Sequence, residues 1–459
     1  MSDRVDRQLV RTIKKEGDNV SNLSGWNARS LFVVILCFLT IAVDGYDLIV
    51  YGATVPHLLK EPGWNLTATG VGLIGSWTLV GLMAGLLGAG PLADRIGRRK
   101  QLLIGVVWFS IGTFLCSQVS SPFELGVARF LCGIGLGAVV PSSVALSVEY
   151  APSRRRQMGN AIALTGYSVG GVVSALVALA LLQSHGWRSL YFVGSICILL
   201  VPLMYFTLPE SVNYLVGKGR VEEARRIAAK YSIDFDRVLR DEQAQQALQK
   251  EQKSRGSFRM MLSPRMRAAL IMFALMAFFG QMVVYGLNVW LPMLMRKQGY
   301  PLGSALESLL IMQCGAALGG LGGAWLADRL GSRRVIVPFF IICAASLLVL
   351  SQKPQQFWLM VALFGSGAGS IGSTTLGYGY IAEYFPAVCR ASAIGVAQGL
   401  GRIGSVIGPM LGSWVVGSNF GNAWNFYAYV IPALLAALVV LQIPGAPRVE
   451  VSEERLTNV

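Results

Sequence analysis

The chain has 459 residues, 54% of them apolar and only 14% charged, with a formal net charge of +15. Soluble globular chains carry roughly 25% charged residues, so an ordinary soluble enzyme is excluded, and the apolar content excludes disorder. The 53 Gly follow no collagen period, and Gly is common in membrane helices.

Stretches of about 20 apolar residues are candidate membrane spans. In chain order they centre on 30–57, 67–92, 101–119, 123–150, 157–183 and 188–208, then on 267–295, 303–328, 334–351, 355–384, 391–416 and 422–443. The predicted organisation is an N-terminal tail at 1–29, a first six-helix bundle at 30–208, a linker at 209–266, a second six-helix bundle at 267–443 and a C-terminal tail at 444–459. Residues 1–28 are polar and the first apolar run is too long for the h-region of a signal peptide, so no cleaved leader is expected.

The bases set the direction. With the N-terminus in the cytoplasm, 32 of the 39 Lys and Arg fall on the cytoplasmic side and five outside (Lys60, Arg188, Arg296, Lys297 and Lys353), leaving Arg129 and Arg402 within spans. The positive-inside rule then puts both termini and the linker in the cytoplasm, which fits a multi-pass protein of the cell inner membrane. Within the linker, Val221 to Tyr231 reads as an amphipathic helix with acids first and bases last, packed between the bundles or lying on anionic lipid. No nucleic-acid partner is expected. The seven Cys form no CxxC pair and mostly lie in apolar runs, and His57 and His185 are too few for a His-based metal site.

A shift of 234 residues superposes the halves. Asp94-Arg95-Ile96-Gly97-Arg98-Arg99-Lys100 falls on Asp328-Arg329-Leu330-Gly331-Ser332-Arg333-Arg334, Glu149-Tyr150-Ala151-Pro152 on Glu383-Tyr384-Phe385-Pro386, and Arg156 on Arg390. Separated matches at one offset mark structural repeats, and repeat-built transporters bind near mid-membrane where the halves meet. In each loop motif a Gly permits a tight turn, and the bases can bond carbonyls or nearby carboxylates. Asp94, Arg95, Arg99 and Glu149, with Asp328, Arg329, Arg333, Glu383 and Arg390, are therefore read as a cytoplasmic gate; the alternative is that the bases only anchor orientation.

These residues carry a resemblance. The chain resembles major facilitator superfamily transporters over nearly its whole length: the loop motif matches that superfamily's signature, and the second copy is degraded, with Ala324 where the first has Gly90. Arg129-x3-Gly133-x-Gly135-x-Gly137 resembles the motif tied to proton coupling there. Asp44-Gly45-Tyr46-Asp47, with Leu208-Pro209-Glu210-Ser211, resembles the aromatic acid:proton symporters, which import benzoate and hydroxybenzoates. The resemblance implies an all-α membrane protein, with 12 transmembrane helices in two six-helix repeats and a cytoplasmic helical linker.

Charge at the bilayer centre costs about 3 kcal/mol or more, so the buried charges are the site candidates. Asp44 and Asp47 share a helix face, and two close carboxylates in low dielectric disfavour double ionisation, which suits a proton carrier; one of them could instead only bond backbone at a break near Gly45. Arg129 is at comparable depth to Asp47, so a pair between them could switch on protonation or be static. Arg402 lies about 18 Å into its span with no acid in that span, and a guanidinium fits a carboxylate bidentately. It is the candidate anchor for the substrate carboxylate. Trp77, Tyr167, Gln281, Tyr285, Asn288, Gln313 and Gln398 are the further substrate-binding candidates, each of which could equally be packing; Tyr285, Asn288 and Trp290 also suit an outer gate.

The expected function is import of an aromatic carboxylate, benzoate or hydroxybenzoate in type, driven by inward proton flow through alternating access. The expected partners are that acid, the proton and the bilayer; no cofactor or metal beyond the proton as coupling ion is expected, and a monomer is the expected state. The same machine could carry another organic acid, a sugar or a drug, and a non-transporting sensor is the alternative of another class. No P-loop, metal cluster or nucleophile triad is visible, so an enzyme is not expected.

Overall fold

The computed structural model describes residues 26–152, 155–240, 263–385, 387–418 and 421–444. Most of the tail at 1–29, the linker at 241–262, Pro386 and the tail from 445 lie outside the described residues.

Apolar residues on every face favour helices that are buried or meet lipid, and among the described residues no strand occurs. In the first half the helices are α1 (Ala28–Leu58), α2 (Ala68–Ile96), α3 (Arg98–Gln118), α4 (Pro122–Tyr150), α5 (Arg156–His185) and α6 (Trp187–Thr207). The linker adds α7 (Val212–Gly217) and α8 (Val221–Tyr231). The second half holds α9 (Pro264–Lys297), α10 (Leu302–Leu330), α11 (Ser332–Ser351), α12 (Gln356–Tyr384), α13 (Ala387–Gly417) and α14 (Trp424–Gln442). Among the described residues, 11 of these helices, all but α7, α8 and α13, are long and apolar enough to cross a membrane.

Their ends follow local chemistry. Asn27, Thr67 and Ser121 cap α1, α2 and α4 through side-chain oxygens, satisfying N–H groups that a helix start leaves free. Large apolar side chains such as Phe206, Leu87 and Trp358 stand exposed around the bundle, a surface that only an apolar solvent tolerates in this number.

The repeat reappears as packing. In the first half α2 packs on α4, α1 on α5 and α3 on α6; in the second, α10 packs on α12, α9 on α13 and α11 on α14. The halves meet through α1 and α9, α2 and α13, and α5 and α10.

The linker defines one face of the molecule. The apolar side of α8 does not lie open for lipid: Ala224 and Ala228 are buried with Val212 and Leu215 of α7. The end of α8 is tied to α1 by Ser30 Oγ, which donates to the Tyr231 carbonyl at 2.8 Å, and its Tyr231 ring stacks edge-on to Tyr150.

The seam between the halves lies toward the opposite, far face. Ser76 Oγ donates to the Val406 carbonyl at 2.7 Å, and Gly72 and Gly75 of α2 admit Ser413 and Pro409 of α13. Toward the linker face, no hydrogen bond or ion pair joins the halves among the described residues. At Gly52, an added Cβ would meet the Asn288 carbonyl oxygen of α9 at 1.9 Å. Gly52→Val is therefore expected to force the far-face seam apart. A cysteine at Ser413 should then label faster with an impermeant maleimide applied from that face; unchanged labelling would show that the seam tolerates the branch.

Candidate transport site

Two close approaches aim Arg129 and Arg402. Gly133, one turn beyond Arg129, lets α4 press on the Thr78 carbonyl of α2, where a Cβ would come to 2.0 Å. Gly404, two residues beyond Arg402, lets α13 press on the Phe278 carbonyl of α9 at the same 2.0 Å. Small residues at such crossings bring backbones together and leave little freedom of rotation.

In the first half, Arg129 Nη1 donates to Asp47 Oδ1 at 2.6 Å, with both side chains 1% exposed. The guanidinium sits 5.0 Å from the Tyr51 ring and 5.9 Å from the Tyr191 ring, a cation–π enclosure. Tyr51 follows Asp47 by four residues and so shares its helix face. Asp47 Oδ2 and Arg129 Nε have no hydrogen-bond partner among the described residues, so the pair is joined through one bond only.

Asp44 takes a different environment one turn earlier. It is half-buried and makes no hydrogen bond or ion pair among the described residues, while lying within electrostatic reach of Arg402 and Asp47. On the other side of the seam, Arg402 Nη1 donates to Tyr285 Oη at 2.6 Å, and its guanidinium carbon is 5.8 Å from that ring. Tyr378 and Asp44 also lie within electrostatic reach of Arg402, and Tyr167 of α5 within reach of Tyr285, Asp44 and Arg402. The structure thus gathers one carboxylate, one guanidinium and three phenols from both halves. Tyr285 belongs to this group rather than to the far-face seam.

The other candidates stand elsewhere. Gln281 Nε2 donates to Gln398 Oε1 at 3.0 Å, and the two buried amides tie α9 to α13. Gln313 is 0% exposed with both amide atoms unbonded, and it presses on Gly171 of α5; it is a seam residue. Asn288 is also buried at the seam and spends its amide N–H on the Val284 carbonyl one turn back. Trp290 donates to the Pro409 carbonyl at 2.8 Å within the second half. Trp77 stacks on Phe123 with ring centroids 5.9 Å apart and covers Gly126, so it fills the α2–α4 crossing, apart from Arg402.

On the linker face, Glu149 accepts from Arg98 Nη1 at 3.1 Å, Ser211 Oγ at 2.7 Å and the Asn213 N–H at 2.8 Å. Arg99 bonds the Tyr205 carbonyl and lies over that ring. In the second half Ser332 Oγ donates to Glu383 at 2.8 Å, Arg333 bonds the Leu441 carbonyl, Arg329 stacks 3.9 Å over Trp325 and Arg390 reaches the Phe385 carbonyl. Arg95 contributes its carbonyl, which accepts from Tyr214. Asp94 and Asp328 are exposed and make no ion pair among the described residues. The gate candidates therefore form a separate cluster in each half, and both Asp stand outside it because they point to solvent from the last turn of their helices.

Sequence reasoning passed over Tyr378, Arg98, Tyr51 and Tyr191. Tyr378 follows a π-helical turn at Ala368–Gly372, which rotates the rest of α12 relative to a regular helix; the Gly-rich run before it was the available signal. Among the described residues no group of three or more His, Cys, Asp or Glu could hold a metal ion.

Two repeated bundles that meet at a seam, with opposed charges from the two halves at that seam, are the build of a secondary transporter. The chain belongs to the sugar (and other) transporter family, whose profile matches residues 32–444, and it is a transporter rather than an enzyme. It is 33% identical to the benzoate transport protein of Acinetobacter baylyi, over 90% of this chain and 89% of that one. It is also 33% identical to the gentisate transporter of Corynebacterium glutamicum, over 94% of this chain and 90% of that one. Among solved structures, the major facilitator superfamily proton:xylose symporter XylE matches with a TM-score of 0.71 at 22% identity, over 91% of this chain and 96% of that one. The fold is the major facilitator fold.

Proposed function

We propose that this protein imports an aromatic carboxylate, of benzoate or hydroxybenzoate type, with protons across the inner membrane. In this reading α13 also crosses the membrane, as the eleventh of twelve spans, and the linker face is cytoplasmic, as the excess of Lys and Arg there requires. The seam on the far face, with no bond joining the halves toward the linker face among the described residues, fits the inward-facing state.

The observation that carries the proposal is the pair of opposed, incompletely satisfied charges at the seam. Arg402 uses Nη1 on Tyr285, which leaves donors of its fork for a substrate carboxylate. Asp44 faces it from the other half without a bond of its own, so it can take a proton, and the phenols of Tyr167, Tyr285 and Tyr378 offer ring stacking and hydrogen bonds to a flat acid. Asp47 and Arg129 sit behind Asp44 as the coupling pair: protonating Asp47 weakens its hold on Arg129. Both curated relatives above are named for aromatic acids, which supports the choice of cargo.

The test is uptake of labelled benzoate, 4-hydroxybenzoate and gentisate into proteoliposomes with an imposed inward proton gradient. Accumulation should occur for at least one of these acids and collapse with a protonophore. Accumulation that ignores the protonophore removes the proton from the mechanism, and uptake of none of the acids removes the cargo.

A further inference from the structure

The spacing Gln281-x3-Tyr285 on α9 recurs as Gln398-x3-Arg402 on α13, and residues four apart share a helix face. Two bonds join these positions, each between residues 117 apart in the chain: Gln281 to Gln398 at 3.0 Å and Arg402 to Tyr285 at 2.6 Å. α9 and α13 therefore run parallel, and the two bonds are successive rungs between them, the amide rung one turn nearer the linker face. Gly404 and Gly408 fix the register, because a Cβ on them would meet the Phe278 and Met282 carbonyl oxygens of α9 at 2.0 and 2.4 Å.

Each rung leaves polar groups unspent. Arg402 keeps the rest of its fork beyond the bond to Tyr285. In the amide rung, Gln398 Nε2 makes no hydrogen bond among the described residues, and Gln281 Oε1 is buried without one. The two side chains are only 9% and 6% exposed, and a polar group so buried is costly when it has no partner. There is room beside them. Gly395 and Gly399 flank Gln398 along α13, and among the described residues a Cβ built on either meets nothing within 4 Å.

The spacing of the rungs selects a ligand. Four residues rise about 6 Å along a helix, and the carboxyl carbon and the para oxygen of a 4-hydroxybenzoate stand about that far apart across the ring. A meta oxygen is nearer to the carboxyl carbon and off the axis, and benzoate has no oxygen there at all. An acid held by its carboxylate on Arg402 and lying along α13 toward the linker face thus brings a para oxygen, and no other ring substituent, to the level of Gln398.

We propose that Gln398 selects a para-hydroxylated aromatic acid, its Nε2 donating to the para oxygen of a substrate whose carboxylate is on Arg402. This inference rests on the reading of the protein as an aromatic acid importer with Arg402 as the anion anchor. Gln281 is a positioning residue: it donates to Gln398 Oε1 and so leaves the amide N–H2 end for the ligand.

The test is equilibrium binding of labelled benzoate, 3-hydroxybenzoate and 4-hydroxybenzoate to the purified full-length protein in detergent. The unaltered protein should bind 4-hydroxybenzoate roughly three- to tenfold more tightly than benzoate, the effect of one neutral hydrogen bond. Joining Gln281→Leu with Gln398→Leu replaces both amides by apolar groups and should abolish that preference while holding benzoate affinity within about twofold. Gln281→Leu alone should lower the preference in part and leave benzoate affinity as it was. Equal affinity of the unaltered protein for benzoate and 4-hydroxybenzoate, tighter binding of 3-hydroxybenzoate, or a preference that survives in the double variant overturns the proposal. Loss of benzoate binding in the double variant also overturns it, by making the amides a structural tie alone. Binding of none of the three acids to the unaltered protein removes the aromatic cargo as well, which tells failure of that reading apart from failure of the Gln398 assignment.

Discussion

Arg402→Ala is expected to weaken binding of a labelled aromatic acid to the purified protein roughly ten- to a hundredfold. A hydrogen bond to a charged group is worth about 1.5–3 kcal/mol, and about 1.4 kcal/mol is a factor of ten in affinity. Arg402→Lys should recover only part of the loss, because an ammonium keeps the charge but not the planar fork that grips both carboxylate oxygens. Tyr285→Phe should weaken binding less, since it removes the hydroxyl that orients Arg402 and leaves the guanidinium in place. Equilibrium binding in detergent measures all three. Unchanged affinity in Arg402→Ala would move the anion site elsewhere.

The second large effect concerns the pair behind the site. Asp47→Ala leaves Arg129 charged and buried, and breaking one side of a buried pair costs about 3–5 kcal/mol. A thermal melt should show this as a marked loss of stability. Joining Asp47→Asn with Arg129→Gln removes both charges together and should restore much of it, and the double-mutant cycle gives the coupling. The same double variant should still exchange labelled for unlabelled acid but should not concentrate it under a proton gradient, because the amide takes no proton at working pH. Gradient-driven accumulation by Asp47→Asn would sink the coupling role.

What could be read from the chain in advance differs from residue to residue. Asp47 and Arg129 were each conspicuous, because charge inside an apolar run is costly wherever the helix points; their depths, counted along two helices, also matched. Gln281 and Gln398 were each visible as polar, but nothing local said that they would satisfy one another. Trp77 had a suitable depth and faces α4 instead of the seam, a matter of helix rotation. Tyr378 was hidden by the π-helical turn, which breaks the regular count that predicts which face a residue occupies. Arg98 lies next to Arg99 in the motif, and only the position of Glu149 decides which of the two it pairs with.

By itself the sequence determined the rough limits of the apolar segments, the repeat at one offset, and the residues whose charge is expensive. These follow from composition and periodicity, which act within one helix at a time. The tertiary structure decided which of those charges are paired and which are left facing each other: Asp47 is closed on Arg129, whereas Asp44, three residues away, stands free toward Arg402. That outcome depends on how α1, α4 and α13 rotate and cross, and the rotation is set by side chains on neighbouring helices, far away along the chain.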